Sequence, residues 1–154
     1  MTTELEELCQ QVLLDHSTRP RNYGEIAEGA IHVHGDNPSC GDEIDLHVKL
    51  AADGAVEDVK FTGQGCATSL ASASLMTLKL KGRPRGEALD LTRHFHDLVT
   101  GASHHAPRTL GDLRLLEGVR KFPQPVKCAM LAWRAFEQAL AEAPEGESRV
   151  STER

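Results

Sequence analysis

Aromatic side chains are scarce in this chain, at 4% of 154 residues, so aliphatic residues and alanine must fill its interior. No run of lysine or arginine is present and the formal net charge is −6, which excludes a phosphate-binding stripe and argues against a nucleic-acid surface. No apolar stretch approaches the roughly 20 residues that a membrane-spanning helix needs. The opening MTTELEELCQQVLLDH is acidic and helical in pattern, unlike a secretory signal, so the cytoplasm is the expected compartment. There is no C-x-x-C pair either, and the H-x-E and P-C-x-x-C signatures of a zinc deaminase are missing.

What is present is enough for one domain that buries a core without disulfides: 40% hydrophobic and 26% charged residues. Thr3 to Glu6 reads T-x-x-E, a capping box, and Leu5, Leu8, Cys9, Val12 and Leu13 follow at helical spacing. That helix ends before Arg19-Pro20. Ile31 and Val33 alternate with His32 and His34, and Ile44, Leu46, Val48 and Leu50 alternate with Glu43, Asp45, His47 and Lys49. Asp53-Gly54 is a hairpin signal, and Val59 and Phe61 alternate with Asp58, Lys60 and Thr62 on the return. These patterns predict a meander of three antiparallel strands, apolar on one face and wet on the other.

From Ala67 to Lys81 the composition turns to Ala, Ser, Leu and Met, with Gly82 as the stop; Pro84 opens another helix that Gly101 ends. A short helix is expected near Asp112 to Glu117. A last helix is expected with Pro125 in its first turn and Val126, Ala129, Trp133, Phe136 and Leu140 as its buried stripe. The predicted architecture is α+β, a small three-stranded antiparallel sheet with helices packed on one face. Residues 1–143 form the single domain. The charged, Ser/Glu-rich tail 144–154 is expected to be disordered.

Four cysteines remain to be explained: Cys9, Cys40, Cys66 and Cys128. Cys9 falls on the apolar stripe of the first helix, the place of a core thiol. The other three fall at element ends: Cys40 between the first two strands, Cys66 where the third strand gives way to a helix, and Cys128 in the expected first turn of the last helix. Asp42 adds a carboxylate two residues after Cys40. Three thiolates and a carboxylate suit tetrahedral Zn²⁺, and a helix N-terminus favours thiolate. Three separate buried cysteines would be the plain alternative, and position alone leaves both open. A second site from His94, His96, His104 and His105 is the weaker idea, since no carboxylate pattern accompanies them. Ser69, Ser72 and Ser74 read as small residues for close helix packing, and Lys127 as a solvated first-turn lysine or an electrostatic aid to the site.

The blocks NPSCGDEIDLHVKL, GQGCATSLASASLMT and FPQPVKCAMLAW, with LDHSTRPRNYG before them, together resemble the IscU/NifU-type iron–sulfur scaffold family, and within it the SufU branch. The long stretch between Cys66 and Cys128 suits SufU, as does Lys127 where IscU-type chains carry histidine. Pro125 departs from the arginine common in SufU-type chains. The resemblance implies metal ligands at Cys40, Asp42, Cys66 and Cys128, with Cys40 as sulfur acceptor. It implies a zinc-dependent, sulfurtransferase-like partner of a SufS-like cysteine desulfurase, passing persulfide sulfur to downstream cluster-assembly proteins. The alternatives are an IscU-like scaffold that assembles a [2Fe–2S] cluster on the same ligands, and a structural zinc module without turnover.

Overall fold

The computed structural model describes residues 3–102, 108–121, 123–141 and 147–151. Helix α1 (Thr3–Thr18) precedes strands β1 (Ile31–Asn37), β2 (Asp42–Leu50) and β3 (Val56–Gln64). Helices α2 (Ala67–Leu80) and α3 (Arg85–Thr100), a 3₁₀ stretch (Arg108–Lys121), α4 (Pro123–Ala141) and β4 (Glu147–Ser151) follow.

The alternation does what the sequence pattern predicts. Ile31 and Val33 of β1, Ile44, Leu46 and Val48 of β2, and Val59 and Phe61 of β3 all point into the core. Antiparallel pairing sets Val33 opposite Leu46 and Leu46 opposite Phe61, so the apolar sets of the three strands share one face. Helix α4 lies across β1 and β2 and also touches α2 and α3. At its centre the Trp133 ring stacks on Phe95 with centroids 4.6 Å apart, and its indole N–H donates to Ser72 Oγ at 3.0 Å. Ser72 in turn donates to the Ala129 carbonyl at 2.6 Å, and Ser74 Oγ takes the Arg21 N–H at 2.8 Å beside His16 Nδ1 at 2.7 Å. The serines of α2 are therefore hydrogen-bonding parts of the helix contacts as well as small ones.

Three expectations need correction. The sheet has a fourth strand: β4, inside the tail expected to be disordered, runs parallel to β1 in the order β3-β2-β1-β4. The outer edge of β1 offers unpaired backbone groups, and residues 147–151 satisfy them whatever their side chains. Cys128 falls in the second turn of α4 rather than the first, because the helix begins at Pro123, two residues before Pro125; N–H groups of the first turn have no intrahelical partner, so both prolines fit there. The 3₁₀ stretch extends well beyond Asp112 to Glu117 and is broken at Gly111, whose φ of 55° and ψ of −129° are not helical.

Candidate metal centre

The β1–β2 connection is a tight turn, Pro38 to Gly41. The Asn37 carbonyl accepts the N–H groups of Cys40 (3.1 Å) and Gly41 (3.0 Å), and Gly41 takes a φ of 73° that glycine adopts without strain. Cys40 is thereby presented on an exposed turn. Asp42, the first residue of β2, is fully buried.

Cys66 is the N-cap of α2. Its backbone is extended and its Sγ accepts the Ser69 N–H at 3.4 Å, while its own N–H donates to Asp42 Oδ1 at 2.8 Å. The Cys66 thiol reaches Asp42 Oδ2 at 3.7 Å. Gly65 makes this approach possible, since a Cβ there would collide with the Asp42 carboxylate.

Cys128 comes from α4, sixth from Pro123 and thus in the second turn rather than the first. It is 2% exposed, and its Sγ lies 3.3 Å from Cys40 Sγ. Burial, together with hydrogen bonding to Asp42, Cys40 and Cys66 and the charge of Cys66, pushes the Cys128 thiol far above the ordinary cysteine range. The helix N-terminus expected to favour thiolate is a turn too far away.

The ligand atoms of Cys40, Asp42 and Cys128 all lie within 4.8 Å of one another, and Cys66 joins them through the Asp42 carboxylate. Zinc–thiolate bonds of about 2.3 Å in a tetrahedron require donors within roughly 4 Å of each other, a spacing that the cysteine pair at 3.3 Å meets. Soft sulfur donors with one carboxylate, crowded where water is scarce, suit a thiophilic divalent cation, and such a charge would reverse the upward pressure on Cys128.

One residue of this edge escaped the sequence reading. Asn37, also fully buried, donates from Nδ2 to Cys128 Sγ at 3.6 Å. Its signal was available: along β1 the inward positions run Ile31, Val33, Gly35, Asn37, and an amide is out of place in that series. The other candidates lie elsewhere. His94 and His96 are on α3, with His96 Nδ1 3.4 Å from Asp97, while His104, His105 and the side chain of Cys9 lie outside the described residues. Lys127 is half-buried on α4, and Pro125 lies within its first turn.

Residues 8–148 match the family model of the NifU-like N terminal domain. The chain belongs to that family. It is 44% identical over 138 residues to the zinc-dependent sulfurtransferase SufU of Bacillus subtilis, spanning 90% of this chain and 92% of that one. It is 43% identical to the iron–sulfur cluster assembly scaffold protein IscU of Streptococcus pyogenes, covering 90% and 86% of the two chains. The crystal structure of a candidate iron–sulfur cluster assembly scaffold protein of the SUF system from Fervidobacterium islandicum superposes with a TM-score of 0.77 at 32% identity over 84% of this chain and 94% of that one. The α+β fold expected for this family member is the one observed, with β4 added.

Proposed function

We propose that this protein is a sulfur acceptor of iron–sulfur cluster assembly that takes persulfide sulfur from a SufS-like cysteine desulfurase and hands it to later assembly proteins. The observation that carries the reading is the unequal pair of thiols: Cys40 on an exposed turn stands 3.3 Å from Cys128, which is buried in a helix. Cys40, Asp42, Cys66 and Cys128 would hold Zn²⁺, which when bound keeps thiolates ready without redox chemistry of its own. Cys66 and Cys128 are anchored in α2 and α4, whereas Cys40 swings out by flexing one short turn.

The transfer is a thiolate displacement. Cys40 Sγ attacks the terminal sulfur of the desulfurase persulfide, a new S–S bond forms on Cys40, and the desulfurase cysteine departs as thiolate. Access decides which cysteine of the site reacts: Cys40 is exposed, Cys66 only partly so, and Cys128 is buried. Asp42 and Cys66 stay joined meanwhile by the 2.8 Å hydrogen bond between backbone and carboxylate. Among the described residues no helix is long and apolar enough to cross a membrane, in keeping with work in the cytoplasm.

A scaffold reading, with a [2Fe–2S] cluster as cargo on the same ligands, is supported by the likeness to the Streptococcus IscU protein. Elemental analysis of protein purified without added iron, followed by incubation with a desulfurase and cysteine, tests both. Zinc, no visible absorption and added sulfur on Cys40 by mass spectrometry are expected, and Cys40→Ser abolishes desulfurase stimulation. A brown iron-containing protein favours the scaffold. Zinc without stimulation leaves a structural metal module, and persulfide chiefly on Cys128 overturns the choice of Cys40.

A further inference from the structure

The Asn37 side chain is fully buried, and its Oδ1 has no hydrogen-bond partner among the described residues. Buried acceptors are rarely left so, and the explanation lies on the other side of the same amide. Nδ2 donates to Cys128 Sγ at 3.6 Å, a normal reach for the larger sulfur atom. The backbone of Asn37 serves the opposite partner: its carbonyl accepts Cys40 N and Gly41 N and so closes the turn that presents Cys40. Asn37 is also the cross-strand partner of Asp42 in the β1–β2 register. One residue thus touches the staying cysteine through its side chain, the departing cysteine through its carbonyl, and the carboxylate through strand pairing.

We propose that Asn37 is a positioning residue whose Nδ2–H hydrogen bond holds Cys128 on the metal while its carbonyl, accepting from Cys40 N and Gly41 N, shapes the turn that presents Cys40. A metal-bound thiolate accepts hydrogen bonds and has no proton to donate, so only the amide orientation seen here pairs with the loaded site. Turned over, the amide would set oxygen against a sulfur that has no proton to offer, and Cys128 would lose its N–H donor. The unpartnered Oδ1 is the lesser loss.

The inference rests on the proposed metal site, and one set of measurements separates the two. Chelator-stripped protein is loaded with Co²⁺ alone, and the sulfur-to-cobalt charge-transfer band is compared in wild type, Asn37→Leu and Asn37→Asp. Leucine keeps the volume without a donor; ionised aspartate keeps the shape without a donor. Both bands are expected to move to lower energy than wild type, because a sulfur relieved of its hydrogen bond gives up charge more readily. Zinc affinity, measured by competition with a chelator, is expected to be roughly 10–100-fold weaker in Asn37→Leu, the usual cost of losing a hydrogen-bond partner of a metal ligand.

A measurement on the wild type covers the case in which the variants do not fold. Loaded with a spin-active cadmium isotope, one Asn37 Nδ2 proton should show scalar coupling to the metal through the sulfur. Unshifted cobalt bands in folded variants, or no coupling in the cadmium protein, overturn the role of Asn37 while the metal site stands. A wild type that yields no sulfur-to-cobalt band at all removes the metal site and this inference with it.

Discussion

Two regions of the sheet carry the side-chain types that bind metals, and they are built in opposite ways. On the open face, His32 and His34 of β1 lie beside Asp45 and His47 of β2. Asp45 Oδ1 sits 2.9 Å from His32 Nε2 and 3.0 Å from His34 Nδ1, and the rings of His32 and His47 stack with centroids 4.7 Å apart. At the edge, Cys40, Asp42, Cys66 and Cys128 arrive from a turn, a strand and two helices.

The face satisfies itself. Its carboxylate already has imidazole partners on the same sheet and is partly open to solvent. The edge gathers acidic donors in a place where neutral groups answer them: the N–H groups of Cys66 and Ser69, the Asn37 amide and other thiols. Neighbouring strands can neutralise one another in register, whereas elements converging from far apart in sequence leave a demand for positive charge. The number of histidines is therefore a poor guide to a metal site, and burial without a counter-charge is a better one.

The contrast breaks most sharply if the edge can lose a sulfur without consequence. Cys128→Ser is expected to lose zinc and to lower thermal stability by about 4 kcal/mol under conditions where free zinc exceeds the dissociation constant about a thousandfold. Metal analysis and thermal denaturation of wild type and variant, each with and without chelator, check it. A variant that keeps full zinc content would end the account.

Asp42→Ala should weaken zinc binding less than Cys66→Ser, since a carboxylate is a harder and more exchangeable ligand than thiolate. Chelator competition ranks the two, and equal losses would mean that the carboxylate acts as a full partner of the sulfurs.

The face should respond weakly. Asp45→Asn is expected to leave metal content unchanged and to cost less than about 1 kcal/mol at neutral pH, since its partners are half-exposed. Partial burial raises the Asp45 pKa, but hydrogen bonds with His34 and His32 outweigh it and hold the group below the ordinary aspartate value of 3.8. Its contribution is thus present above pH 3.8 and lost as the pH falls through the lower folded value. Urea titrations across that range should show a shallower acid loss in Asp45→Asn.

The smallest effect is expected at His47, whose pKa is lowered by burial and by the charge of His32, against the pull of Glu25 and Asp45. The unfolded chain takes up that proton first, so wild-type stability declines as the pH falls below 6.5. His47→Gln should flatten this decline. An unchanged slope would show that the stacked pair with His32 carries no electrostatic cost.

Much of this was legible in the chain itself. Alternation in Ile44, Leu46 and Val48 set the inward face of β2, and Gly101, at a φ of 81°, closed α3 where a left-handed cap was expected. The cysteine blocks with their neighbours named the family. β4 was not legible, because the sequence Glu147 to Ser151 has no apolar alternation and owes its strand to an open edge supplied by β1. Nor was the turn of α4 that carries Cys128, since two prolines, Pro123 and Pro125, both suit a first turn and local rules do not choose between them.

What the sequence determined by itself was each element except β4, and the kind of donor at its end, because periodicity, caps and turn residues act between near neighbours in the chain. The tertiary structure alone decided that Cys40 and Cys128, 88 positions apart, stand 3.3 Å from each other, that Asn37 faces the second of them, and that Gly65 leaves room for the Asp42 carboxylate. Those distances follow from how α4 lies across the sheet, and that is set by the packing of Trp133, Phe95 and the strands beneath, where every contact joins distant parts of the chain.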